Sequence, residues 1–307
     1  MLLVALAIAV STAAGVVADR RWPARAERLT SRGMDVLLWG VLPPIAFFVV
    51  ARLELTSGVG VGLALAYPVL WTVGALAYLG ATRVLHLPAP SAGAVVTTSV
   101  LANTGYLGIP LCAAFLGQDA IAPAVAYDSV VSAVMLYTVG FGVGAALGTT
   151  AGETPRERAR AFVTRNPVLA AVVLGLLAPD ALAPDVLVDV AELAAIALLP
   201  VGFFLLGVHL THESEGGALR LPPPLSPPVV LVLGLRLAVA PALLIGLGTL
   251  LVDDLPDAYL IQAAMPSGIN SLIVAHVYGL DLRLTAAAVA WTTAAVVAVA
   301  LVAGVVA

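Results

Sequence analysis

Long apolar runs separated by short polar turns make up most of the chain, and their spacing predicts ten membrane-crossing helices. A helix needs roughly 20 apolar residues to cross the hydrocarbon core of a bilayer. Runs of that order fall near 1–18, 34–52, 58–82, 91–117, 119–148, 164–179, 186–210, 228–251, 257–279 and 284–306. The sixth is short, bounded by Asn166-Pro167 and Pro179. Two runs are interrupted at their centres. The fourth carries Asn103-Thr104-Gly105-Tyr106-Leu107-Gly108-Ile109-Pro110, and the ninth carries Met265-Pro266-Ser267-Gly268-Ile269-Asn270. Glycine and proline weaken or remove the helical hydrogen-bond ladder. Bare peptide groups at membrane depth survive only inside protein or along a water-filled cavity. Paired interruptions of this kind point to the substrate site of a secondary transporter.

Composition removes the soluble alternative: 61% of residues are apolar and 10% charged, against roughly 25% charged in an ordinary soluble domain. Cys112 is the only cysteine, so neither an intrachain disulfide nor a cysteine metal cluster is available. The first run lacks the basic start of a cleavable signal peptide. Its arginines (Arg20, Arg21, Arg25, Arg28 and Arg32) follow it instead, which places the N-terminus outside. The remaining turns agree with that orientation. Arg83, Arg156, Arg158, Arg160, Arg165, Arg220 and Arg283 fall on the cytoplasmic side. Arg52 falls outside, together with Asp180, Asp185, Asp253, Asp254 and Asp257. An even number of spans returns the C-terminus to the outside, and a multi-pass plasma-membrane protein is expected.

The polar stretch 149–165 is read as a cytoplasmic linker between residues 1–148 and residues 166–307, with five runs in each part. An odd number per half makes any repeat insert upside down relative to its partner. Leu42-Pro43-Pro44-Ile45-Ala46-Phe47-Phe48 in the second run echoes Leu199-Pro200-Val201-Gly202-Phe203-Phe204 in the seventh. The broken fourth run matches the broken ninth. The expected fold is therefore all-α and polytopic, with two inverted five-helix repeats, an arrangement suited to alternating access.

Several of these motifs resemble the auxin efflux carrier family, including its bacterial and archaeal members. The resemblance lies in Asn103 to Pro110 followed by Tyr127-Asp128, in Leu199-Pro200 with Gly207, in Arg236 with Pro241, and in Met265 to Asn270. It implies a ten-helix fold shared with bile-acid symporters and sodium/proton antiporters, in which two unwound helices cross at the midplane. It also implies transport of small organic anions and a homodimer built through scaffold helices. On the same basis, spans three to five and eight to ten shift against a scaffold of spans one, two, six and seven. The short central loop departs from the long plant carriers, so their loop regulation is not carried over.

The chemistry of the breaks fits an anionic cargo. A helix N-terminus offers unpaired amides and about half a positive charge, so it holds a carboxylate without a lysine. Asn103 and Asn270 bring amide groups beside the breaks, and Thr104, Ser267 and Ser271 bring hydroxyls. With Gly105, Pro110, Pro266 and Gly268 these form the expected substrate-binding set. The bland alternative has both asparagines satisfying freed backbone groups. Asp128 is the one acid well inside a run, where a carboxylate costs about 2.5–3.5 kcal/mol by insertion scales. It stands either as a proton carrier or as a structural partner of the broken helix. Arg236 lies about eight residues into the eighth run. It either snorkels to the cytoplasmic interface, guides the anion, or balances Asp128. Gly140, Gly142 and Gly144 are read as close packing points between helices.

No cofactor is expected. There is no P-loop for ATP, and Asp253-Asp254 has no matching metal ligands. Nothing points to nucleic acid. A membrane-embedded enzyme would need a second catalytic group beside Asp128, so no enzymatic activity is expected. Coupling to protons or to sodium is left open.

Overall fold

The computed structural model describes residues 2–51, 60–150, 152, 154–164, 167–212, 223–252 and 255–306. Arg52, Arg165, Arg220, Asp253 and Asp254, used above for orientation, lie outside the described residues. Helices account for most of the remainder, because apolar runs satisfy their backbone groups internally when coiled. Helix α1 is Leu2–Arg21, and α2 (Pro23–Val36) continues through a wide turn at Leu37–Val41 into α3 (Leu42–Ala51). Next come α4 (Gly60–Val84), α5 (Ala89–Val100), α6 (Thr104–Leu116) and α7 (Pro123–Leu147). The second half holds α8 (Pro155–Thr164), α9 (Pro167–Leu177), α10 (Asp185–His212) and α11 (Pro227–Leu251). It ends with α12 (Asp257–Ala263), α13 (Asn270–Tyr278) and α14 (Leu282–Val306). Proline opens α2, α8, α9 and α11, where its missing amide is no loss.

Helices α4, α7 and α11, together with Leu282–Ala303 of α14, are long and apolar enough to cross a membrane. Large apolar side chains such as Trp71, Leu177, Leu250 and Val299 face outward. Water would disfavour such a surface and lipid would not. The chain is a polytopic membrane protein.

Two groups of helices pack most closely within themselves. In one, α1 lies along α10 while α3 packs on α9 and α10. The α1–α10 contact is reciprocal. A Cβ on Gly15 would strike the Phe204 carbonyl, and one on Gly207 would strike the Thr12 carbonyl. Small residues here let the two backbones touch. Gly207→Ala is therefore expected to cost about 1–3 kcal/mol, typical of overpacking. A lowered thermal midpoint in detergent is the expected reading, and an unchanged midpoint would count against the contact.

In the other group, α4 packs on α5 and α11, α5 meets α7, α11 and α14, and α12 and α13 fill the centre against α6, α7 and α14. Gly144 lies against Tyr278 and Val274, and Gly140 against Leu101, as packing points should. Gly142 does not fit that reading: a Cβ there would meet nothing within 4 Å.

Candidate functional site

Both interrupted runs are broken, and the breaks lie against each other. Helix α5 stops at Val100, and α6 starts at Thr104 after three non-helical residues. Helix α12 stops at Ala263, and α13 starts at Asn270. Between them Ala102 and Ser267 form an isolated antiparallel bridge. The Asn103 amide donates to the Pro266 carbonyl at 2.8 Å, and the Gly268 amide donates to Leu101 at 2.7 Å. Each break thus supplies hydrogen-bond partners that the other lost. Gly268 permits the approach, since a Cβ there would sit 2.9 Å from the Ala102 carbonyl oxygen. The flanking bonds make Ala102 and Ser267 a non-hydrogen-bonded pair, whose Cα atoms sit about 4.5 Å apart. A disulfide spans that distance. Ala102→Cys with Ser267→Cys, in a Cys112→Ser background, is expected to cross-link on mild oxidation. Free thiols that persist would place the breaks apart.

Arg236, from a wide turn of α11, is fully buried at this crossing. Its guanidinium donates to the Ser99 and Val100 carbonyls, both at 3.3 Å, and to the Ala263 carbonyl. Those are the last carbonyls of α5 and α12, where each helix carries about half a negative charge. One guanidinium therefore holds the ends of both arms, and its planar fork suits that task better than an ammonium. The snorkelling alternative fails because the side chain turns inward. Balancing Asp128 directly is also not what it does: among the described residues no ion pair joins the two.

Asp128, also in a wide turn, occupies the start of α6. The Thr104 hydroxyl donates to its Oδ1 at 2.5 Å. A Cβ on Gly105 would sit 3.1 Å from its Oδ2, so the glycine makes room for the carboxylate. The Asp128 carboxyl thus already sits beside one of the two helix N-termini on which an incoming carboxylate would depend.

Asn103 is 2% exposed, yet neither its Oδ1 nor its Nδ2 has a hydrogen-bond partner among the described residues. Its side chain does not cap α6, so the backbone-satisfying alternative does not describe it. An unmatched buried amide costs about 1–3 kcal/mol. Asn270 lines a small cavity with Tyr106, Ile269, Leu272 and Ile273 on one side and Leu37, Leu42, Gly202 and Leu205 on the other. The cavity lies between the crossing and the α2–α3 and α10 helices.

The expected hydroxyls are engaged elsewhere. Ser267 donates to the Thr98 carbonyl at 2.7 Å, and Ser271 donates to Gly268 at 2.6 Å. With Thr104 on Asp128, all three donate within the protein and hold the breaks in shape. Pro266 offers its carbonyl to Asn103, while Pro110 lies in the first turns of α6. Sequence reasoning missed Gln262. It is fully buried in the last turn of α12, donates from Nε2 to Ala124 at 3.0 Å, and places against Gly108 an Oε1 with no partner among the described residues. A lone glutamine inside an apolar run was the signal for it.

Comparison with known proteins agrees with this geometry. The profile of the membrane transport protein family matches residues 61–303, including both breaks, Asp128 and Arg236. An uncharacterized transporter of Methanocaldococcus jannaschii is 24% identical over 229 residues, covering 72% of this chain and 70% of that protein. With four-fifths of its length matched by one profile, the chain belongs to the membrane transport protein family, the family of the auxin efflux carriers.

Proposed function

We propose that the protein is a secondary carrier of small organic anions bearing a carboxylate, working by alternating access around the crossing. The observation that carries this reading is the unmatched, buried amide of Asn103 beside two paired helix breaks. A buried polar group with no partner among the described residues calls for one, and a bound ligand would supply it. The α13 N-terminus, bordering the cavity at Ile269 and Asn270, adds a positive dipole for the carboxylate. Two groups of helices, meeting at that cavity, supply bodies that can move past one another. We assign α1–α3, α9 and α10 to the fixed scaffold and the others to the moving body, within two inverted five-span halves. Both termini are placed outside the plasma membrane, and the exposed scaffold faces are assigned to a homodimer contact.

Reconstitution into liposomes tests the reading. Labelled oxalate, malonate, succinate, benzoate and indole-3-acetate are offered in turn to vesicles with and without the protein. Saturable uptake of at least one anion above protein-free vesicles is expected. Uptake of none of the five would overturn the carboxylate assignment.

A further inference from the structure

With Asp128 ionised, the charges at the crossing balance before any cargo arrives. Two helix C-terminal ends, each about half a negative charge, meet the single positive charge of Arg236. Two helix N-terminal ends, α6 and α13, together carry about one positive charge, and Asp128, at the α6 end, brings one negative charge to the cluster when it is ionised. A cargo carboxylate bound at the α13 end adds one negative charge that nothing in the cluster offsets. In a low-dielectric centre such an excess is strongly unfavourable. Two carboxylates placed close together resolve the conflict when one takes a proton.

We propose that Asp128 takes up one proton for each carboxylate that binds at the crossing, so that anion and proton are carried together. This rests on the carboxylate-carrier reading above. The proton comes from water and adds to Oδ2, the oxygen that does not accept from Thr104. It returns to water when the anion leaves, so no covalent change is left behind. Tyr106 links the two positions, since it follows Gly105 at the Asp128 carboxylate and also lines the cavity with Asn270.

The groups around Asp128 leave it as the proton acceptor. From α6 it accepts from the Thr104 hydroxyl and acts electrostatically on the Tyr106 phenol. On its own helix it acts electrostatically on Tyr137. Helix α4 contributes Tyr67, whose hydroxyl donates to Val130 at 2.6 Å. Helix α12 contributes Tyr259, 5.6 Å from Tyr127 between ring centres, and Gln262. These are uncharged donors and acceptors. Arg236, the cluster's one cation among the described residues, is engaged with the three helix-end carbonyls.

Purified protein in weakly buffered detergent solution, titrated with the five carboxylates above while a pH indicator is read, tests this. The anion's own proton exchange is subtracted from a protein-free blank. Wild type is expected to take up close to one proton per bound anion at its maximum, with affinity falling by up to about tenfold per pH unit as pH rises. Asp128→Asn is expected to bind with no proton uptake and with affinity independent of pH. Thr104→Val, which removes the donor that favours the ionised carboxylate, should keep the uptake and move the affinity curve to higher pH. Binding by wild type with no proton uptake across the range would overturn the proposal, as would undiminished uptake in Asp128→Asn. If none of the five anions binds at any pH, the carrier reading fails first and takes this proposal with it.

Discussion

Arg236→Met is expected to abolish transport and to destabilise the protein by about 3–5 kcal/mol, the range for removing one partner of a buried charged contact. Methionine matches the length of the buried stem but offers no donor. The carbonyls of Ser99, Val100 and Ala263 would then end two helices in an apolar interior with their negative ends unopposed. Nothing else described at the crossing brings a positive charge to both arms. Arg236→Lys keeps the charge but replaces a planar fork with a single point, which reaches one arm better than two. It is expected to fall between wild type and Arg236→Met in thermal midpoint, with transport still strongly reduced. Fluorescence-detected size exclusion over a temperature series reads the first effect, and liposome uptake reads the second. A wild-type midpoint in Arg236→Met would mean that the arms hold together without the clamp.

How much of this was legible in the sequence depended on the range of the interaction. The breaks at Asn103 and Ser267 were visible because proline and glycine act on their own backbone. That the breaks pair as an antiparallel bridge was not visible, since the pairing joins residues 165 positions apart (267 − 102). Arg236 shows the same limit. Its depth along the helix was readable, but its direction was not, and direction separates a snorkelling arginine from a clamp. Thr104, Ser267 and Ser271 were recognised as polar groups at the breaks. The structure shows that their protons go to Asp128, Thr98 and Gly268 rather than to a cargo, the first two through tertiary contacts and the third to a carbonyl three residues earlier. Gln262 escaped notice because one amide in an apolar run has no pattern around it. Its meaning comes from Ala124 and Gly108, on other helices.

Asn103→Ala separates the two things a polar residue at this depth can do. If Asn103 held the fold, alanine would leave its partners unsatisfied and lower the thermal midpoint. The side chain has no partner among the described residues, so truncation removes a desolvated amide and loses no bond described within the protein. The midpoint is therefore expected to stay level or rise. Binding should respond in the opposite way. A hydrogen bond to a charged ligand contributes about 1.5–3 kcal/mol, which corresponds to roughly tenfold to a hundredfold in affinity. Asn270→Ala, at the cavity wall, should weaken binding in the same direction. Calorimetric titration of the tightest-binding panel carboxylate into wild type, Asn103→Ala and Asn270→Ala decides the matter most directly. The expected result is at least tenfold weaker binding to Asn103→Ala with an undiminished thermal midpoint. Wild-type affinity in both variants would place the carboxylate somewhere other than the crossing.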